Sequence, residues 1–332
     1  MAVGRSSRVK SMLRIAALVL AAHAATANAQ AWKPEKPVEI VVNTAPGSGP
    51  DKIGRLMQKI MQEQRMPETS MVVVNKPGGG GAIAYTYLNQ YAGNGHYLAV
   101  ASKTLLTTHV MGRSPVTYTD VTPVAHMIDE YIGVAVRADS PIRSGKDLVE
   151  RLRKDPGAHS FGIATSLGNT NHQAVAAALK GSGIDMRKLK NVVFQSGGTA
   201  ITALLGGHVD VVPVSIGSWV SHVNAGAVRV IAVSAPKRLT GLFANVPTWR
   251  EQGADFVVSN WRCIVGPKNM SPAHVAYWEA AVKRMMSTAE WQKEVESTSA
   301  VSEFKGGAET RKFMESDYAA IKAFLTDLEL AR

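Results

Sequence analysis

The stretch Val38-Glu39-Ile40-Val41-Val42-Asn43-Thr44-Ala45-Pro46-Gly47-Ser48-Gly49-Pro50-Asp51-Lys52-Ile53 decides the fold class. It opens on a β-branched run, passes through a turn rich in glycine and proline, and enters a new segment. There Ile53, Leu56, Met57, Ile60 and Met61 recur at three-and-four spacing, the stripe of a helix with one buried face. Strand, tight turn and amphipathic helix in immediate succession are the opening of a βαβ unit. The turn carries chemistry as well. Glycines let backbone approach a ligand closely, and the helix that follows presents unpaired N–H groups with a partial positive charge, which suits an anion. Asp51 reads either as a capping carboxylate or as part of that site.

The same alternation recurs along the chain. Further strands are expected at Met71–Val74, Tyr97–Ala101, Ile132–Val136, Phe161–Ala164, Val192–Phe194, Val209–Val214, Val228–Val233, Phe256–Val258 and near Trp261–Val265. Between them lie helical stripes such as Ile201, Leu204 and Leu205. The pattern predicts an α/β protein with parallel-rich sheets flanked by helices. After the last of these strands the tail is helical. Ser271-Pro272 reads as N-cap and first turn, and Phe313, Ile321, Phe324, Leu325 and Leu328 line the final helix. Polar breaks near residues 137–147 and 236–247 suggest that the chain builds one lobe, a second, and returns. Residues 30–135 and 251–332 are expected in lobe 1 and residues 136–250 in lobe 2, with the ligand in the cleft between them. No internal repeat and no low-complexity segment is visible.

The N-terminus bears on compartment. Arg5, Arg8, Lys10 and Arg14 precede an apolar run from Ile15 to Ala25, and Ala27-Asn28-Ala29 supplies small residues for cleavage. Residues 1–29 therefore read as a signal peptide, giving an exported, periplasmic, soluble product that starts at Gln30. The site lacks a lipobox cysteine, so no lipid anchor is expected. Cys263 is the single cysteine, so no internal disulfide is available and stability must come from core burial. The formal charge is +11, of which the leader holds four positives and no acid, leaving +7 spread over the rest. No run of five basic residues and no interleaved aromatic pattern occurs, so nucleic acid is not an expected partner.

Three further glycine- or hydroxyl-rich loops follow strands. Asn75-Lys76-Pro77-Gly78-Gly79-Gly80-Gly81-Ala82 contains the string Gly79, Gly81, Ala84 of a dinucleotide fold. The next strand, however, ends Ala101-Ser102-Lys103-Thr104, without the acid that would hold a ribose, so no nucleotide cofactor is expected. Gln195-Ser196-Gly197-Gly198-Thr199-Ala200 opens the helix that ends at Gly206-Gly207, and Thr165-Ser166-Leu167-Gly168-Asn169-Thr170-Asn171-His172 enters another. Each alone is an ordinary capped turn. Several helix starts converging on a cleft would form a carboxylate cage. No GxSxG elbow or P-loop is present, and the nine histidines form no HxxxH or HExxH pair. No metal is expected. Cys263 reads as a small core residue, and His172 as a capping or packing residue with ligand contact as the alternative.

Together these segments resemble the tripartite tricarboxylate transporter receptors, the Bug-type periplasmic solute-binding proteins. The markers are Lys36-Pro37, Ala45-Pro46-Gly47 with Asp51 and Arg55, Val73-Val74-Asn75-Lys76-Pro77-Gly78, and Gly95-His96-Tyr97-Leu98. They continue through Gly168 with His172, Gly197-Gly198-Thr199-Ala200, Leu204-Leu205-Gly206-Gly207-His208-Val209-Asp210, and Val246-Pro247-Thr248-Trp249 with Glu251. The resemblance implies a two-lobed periplasmic-binding fold of type II (a Venus flytrap) that closes on a small carboxylate. Family ligands are mono-, di- or tricarboxylates, acidic amino acids or aromatic acids, held by backbone amides, hydroxyls and waters. Carried over, Gly47, Ser48 and Gly49, with Ser102 and Thr104, would face the ligand from lobe 1. Thr165, Ser166, Asn169, Gly198 and Thr199 would face it from lobe 2. The partner implied is a membrane permease, met by a monomer without cofactor or catalysis. A sensory module and an enzyme on the same scaffold are the alternatives. Asn43-Thr44, Ser48, Ser166 and Asn169 depart from common family residues, and all place polar groups near the expected cleft.

Overall fold

The computed structural model describes residues 32–164 and 166–332. The signal peptide expected at residues 1–29 and the proposed contact Thr165 lie outside the described residues. Pro34–Arg332 forms one compact unit. None of its helices is long and apolar enough to cross a membrane.

The opening βαβ reading is realised as β1 (Val38–Val42), α1 (Gly49–Glu63) and β2 (Met71–Asn75), followed by α2 (Ala82–Asn89), β3 (Tyr97–Ser102) and α3 (Thr104–Val110). β1 pairs in parallel with both β2 and β3, so it lies between them. The helical stripe seats Ile53, Met57, Ile60 and Met61 on the sheet, each at most 6% exposed. Gly54 sits at the closest approach: a Cβ there would lie 3.0 Å from Val42 Cγ2.

The long strand β4 (Val121–Arg137) then carries the chain across the molecule. Its first part, through Tyr131, pairs antiparallel with β9 (Ser259–Pro267) and with β10 (Val301–Gly306). From Ile132 onward it pairs antiparallel with β7 (Val212–Ser215) and β8 (Val228–Val233). After β4 come α4 (Gly145–Lys154), β5 (Ser160–Ala164), α5 (Thr170–Gly181), β6 (Lys190–Phe194) and α6 (Gly197–Leu205). β5 pairs in parallel with β6 and meets Val211, just before β7, through a parallel bridge at Phe161. β6-β5-β7 thus repeats the spatial order of β2-β1-β3. α7 (Val220–Asn224) precedes β8, and α8 (Pro272–Met286), α9 (Ala289–Thr298) and α10 (Gly307–Asp327) complete the chain.

The fold is α/β with a mixed sheet flanked by helices. Parallel pairing is found where helical crossovers occur, which is what such connections permit. The strands that leave and return, β4 and β9, run in opposite directions and pair antiparallel. The Phe256–Val258 segment, expected to be a strand, is irregular, although the Val258 N–H donates to Ser234 O at 3.1 Å. Its apolar residues serve a crossing rather than a ladder: Val258 packs with Ile132 and with Ala174 of α5. Ser234 is fully buried at this crossing, accepting from Ile132 N–H at 2.9 Å and donating to Val258 O. The first part of β4 and all of β10 were not anticipated, since Thr122, His126, Asp129, Ser302 and Lys305 interrupt the apolar runs there.

Apolar side chains gather in three main clusters. One combines Val41, Ala101, Leu105, Trp261, Cys263 and Ile321. Others lie on the two sides of the later strands, around Phe161, Ile163 and Leu179 and around Val212, Leu204 and Trp219.

Candidate functional site

In an open α/β sheet, ligands bind beyond the carboxyl ends of the strands, where successive connections leave to opposite sides. Here β1 lies between β2 and β3, so that point falls between the ends of β1 and β3. Two of the sequence-selected segments emerge there. Gly47, Ser48 and Gly49 follow β1, and Ser102 and Thr104 straddle the end of β3. Asn43 ties them together, its Nδ2 donating to Thr104 Oγ1 at 3.1 Å and to Tyr85 Oη at 3.4 Å. Ser102 Oγ lies 2.9 Å from Thr104 Oγ1. Asn43 Oδ1 is buried with no hydrogen-bond partner. Burial pushes the Tyr85 hydroxyl up to about 12, against hydrogen bonds from Ser102 and Thr104 that pull it down. Lys103, between the two hydroxyls, turns away to pair with Asp317 at 2.9 Å.

The turn itself is rigidly held. Gly47 sits at φ +81 in open space, a conformation that favours glycine on backbone grounds alone. Asp51, 1% exposed, accepts from Gly47 N–H at 2.7 Å, from Asn75 Nδ2 at 2.8 Å and from Arg55 Nε at 3.0 Å. Burial alone would raise its carboxyl, but these partners hold it below the usual carboxylate range. Asp51 is thus a structural clasp. Ser48 is the N-cap residue of α1, yet its hydroxyl bonds Thr44 Oγ1 and gives the helix no side-chain cap.

The groups that sequence reasoning missed stand beside this helix start. Arg262 on β9 is 4% exposed and is paired in register with Ser102. Its Nη1 donates to Asn260 O at 2.8 Å and Trp261 O at 3.0 Å, and its Nη2 donates to Glu130 Oε2 at 3.0 Å. Its Nε is buried without a partner. A Cβ on Gly49 would lie 3.4 Å from Arg262 Nη2 and 4.0 Å from Glu130 Oε1. Neither residue stands in a glycine-rich loop, and both come from crossing strands distant in sequence. Only the register of β3, β9 and β4 could have revealed them.

The later strands repeat the arrangement with different finishing. β5 and β6 end side by side at Ala164 and Phe194, so the loops bearing Ser166, Asn169, Gly198 and Thr199 leave the same edge. Gly168 has φ +81, like Gly47, and likewise precedes the N-cap residue. Asn169, however, caps its own helix, accepting from His172 N–H at 3.0 Å. The α6 start closes on itself too: Thr199 N–H donates to Ser196 Oγ at 3.2 Å and Ser196 N–H to Thr199 Oγ1 at 3.1 Å. Gly198 and Thr199 are exposed. His172 is a packing residue. Its Nδ1 accepts from Gly168 N–H at 3.0 Å, its ring meets Phe324, and burial pushes its pKa down to about 4. The residues thus gather in two groups, one at each carboxyl edge. α1 reaches the crossing strands through Gly49, and α5 reaches them through Ala174.

A second polar cluster lies within the sheet. His126 Nε2 is 2.9 Å from Asp129 Oδ2, Cys263 Sγ is 3.4 Å from His126 Nδ1, and Ser259 Oγ donates to Asp129 Oδ1. The residue types resemble a nucleophile triad, but Cys263 and His126 are both fully buried, and burial pushes the thiol pKa well up. A buried neutral thiol with no route to substrate is a core residue. His126, Asp129 and Glu303 also offer ligand atoms within 4.8 Å of one another. Asp129 is committed to His126 and Ser259, and Glu303 to Lys305.

Comparison with known proteins agrees with this architecture. A family model described as the tripartite tricarboxylate transporter family receptor matches residues 53–330. A protein from the gbd 5′ region of Cupriavidus necator is 25% identical over 320 residues, covering 96% of this chain and 94% of its own. A TctC solute-binding protein from Polaromonas, crystallised without ligand, superposes with a TM-score of 0.77 at 26% identity, covering 88% of this chain and 99% of its own. MatC from Rhodopseudomonas palustris with bound malate shares the fold at a TM-score of 0.71 and 22% identity, over 88% of this chain and 99% of its own. With most of its length matched by the family model, the chain belongs to the tripartite tricarboxylate transporter family of receptors.

Proposed function

We propose that this protein is an exported receptor that captures a small carboxylate between two lobes and delivers it to the permease of a tripartite transporter. The lobes are residues 30–135 with 251–332, and residues 136–250, hinged where β4 and the chain around Val258 cross. Gly47, Ser48, Gly49, Ser102 and Thr104 contact the ligand from one side. Ser166, Asn169, Gly198 and Thr199 contact it from the other. The observation that carries this reading is the start of α1, a helix N-terminus without a side-chain cap beside the buried Arg262 guanidinium. Both features favour an anion. The malate bound to MatC, a protein of the same fold, is a ligand of this chemical class. The leader residues support export, and the family supports delivery to a membrane partner. Capture requires no chemistry, and the buried state of Cys263 accords with that.

The test is a thermal-shift screen of refolded, ligand-stripped protein against mono-, di- and tricarboxylates, acidic amino acids and aromatic acids. A ligand that prefers the native state raises the melting temperature by mass action, with about 2.7 kcal/mol of added stability at a hundredfold excess over Kd. A saturable shift with one subclass is expected. Ser166→Leu and Thr199→Leu should remove that shift while the melting temperature of the empty protein stays nearly constant. No shift with any carboxylate, from folded and empty protein, would overturn the reading.

A further inference from the structure

The Arg262–Glu130 pair has no counterpart in the backbone-and-hydroxyl cage that the loops alone describe. A guanidinium beside a helix N-terminus brings two positive centres together, which is unfavourable unless an anion joins them. Glu130 supplies one carboxylate, through Oε2 alone. Its Oε1 takes no hydrogen bond from the described residues and lies 4.0 Å from the Cβ position of Gly49. Glu130 is also the more accessible partner, its side chain 19% exposed against 5% for Arg262. Two polar atoms at the site, Arg262 Nε and Asn43 Oδ1, are buried without partners on residues 4% and 5% exposed. One is a spare donor and the other a spare acceptor. A buried ion pair contributes little net stability over an apolar replacement, so its retention calls for another reason.

We propose that Arg262 and Glu130 act as a paired-charge recognition element, selecting a zwitterionic amino acid over the dicarboxylate of equal length that lacks the ammonium group. The inference rests on the receptor reading above and names the ligand class for the same site. The ligand carboxylate meets the Arg262 side of the pair and the start of α1. The ligand ammonium meets Glu130 Oε1. A dicarboxylate without the ammonium meets the same cation but brings its negative charge beside Glu130 with no second cation to offset it, so the pair attracts one class and rejects the other. Gly49 matters because any side chain there would stand between the ligand and both charges.

Isothermal titration of the ligand-stripped protein tests this with matched probes: L-glutamate against glutarate, L-aspartate against succinate, and N-acetyl-L-glutamate as an amino acid without its charge. The aminated member of at least one pair is expected to bind about tenfold tighter or more, and acetylation to abolish that advantage. Glu130→Gln should collapse the ratio by weakening the amino acid and tightening the dicarboxylate. Arg262→Met should weaken both members. Glutarate and succinate binding as tightly as their aminated partners would overturn the inference and leave carboxylate capture standing. A ratio unchanged in folded Glu130→Gln protein would do the same. Failure of every probe to bind folded, empty protein would also overturn the inference, while the receptor reading itself falls only if the wider carboxylate screen gives no shift. The acetylation comparison uses unaltered protein, so it decides the question even where a variant does not fold.

Discussion

The starts of α1 and α5 have almost the same backbone and opposite chemistry. Each follows the middle strand of a parallel trio, each is preceded by a glycine at φ +81, and each has its N-cap residue at φ −73. Asn169 turns its side chain onto its own helix and satisfies it, whereas Ser48 bonds Thr44 and leaves α1 without a side-chain cap. Around α1 stand Asp51, Arg262 and Glu130, drawn from three elements. Around α5 stands His172, buried and uncharged. A shared topology therefore supplies two similar entrances, and the side chains finish them differently. The α1 start lies beside one buried donor and one buried acceptor without hydrogen-bond partners, Arg262 Nε and Asn43 Oδ1.

The sharpest way to break this comparison is to remove the clasp at the α1 entrance. Asp51→Ala strips three hydrogen bonds from one buried carboxylate and should cost about 3 kcal/mol in urea unfolding. Because the folded carboxyl lies below its unfolded value of 3.8, its stabilisation is complete above that value and is lost as pH falls through the folded one. A change near zero would mean that the turn holds its shape without the clasp.

The α5 entrance should show a different acid response, next in size. His172 titrates near 4 in the folded protein against 6.5 when unfolded, so the unfolded chain takes the proton first. Its contribution is whole above pH 6.5 and is lost as pH falls toward 4. By linkage this amounts to about 2 kcal/mol between pH 7 and pH 5. His172→Gln keeps an acceptor for Gly168 and should flatten that part of the stability profile. Equal slopes for variant and parent over this range would show that His172 is not buried neutral.

The smallest effect belongs to the most exposed entrance. Ser196→Ala opens the capping box of α6 and should cost about 1 kcal/mol, within the usual range for an N-cap loss. A much larger loss would show that this box supports more than its own helix.

Much of the first site was legible because its signals are local. Gly47, Ser48 and Gly49 lie between a β-branched strand and an amphipathic helix, and the periodicities of both are written in adjacent residues. The same holds for Ser166 and Asn169 before α5 and for Gly198 and Thr199 at the start of α6. Arg262 and Glu130 were not legible. Arg262 lies in the run Asn260-Trp261-Arg262-Cys263, with nothing to distinguish a buried cation from a surface one, and Glu130 lies more than 130 positions before it. β10 was missed for a related reason: Ser302, Glu303 and Lys305 break its apolar alternation, and it is a strand because β4 offers it an edge.

The sequence by itself determined the α/β class, the positions of most strands and helix starts, the glycine turns and the family. The class, the elements and the turns follow from short-range sterics and hydrophobic periodicity, and the family from the resemblance of ordered motifs. The tertiary structure alone decided that β4 and β9 cross antiparallel, that the order β2-β1-β3 returns as β6-β5-β7 without a sequence repeat, and that a guanidinium stands at the start of α1. These depend on pairings between residues far apart in the chain. Burial and the absence of a competing partner, rather than local preference, give such pairings their energy.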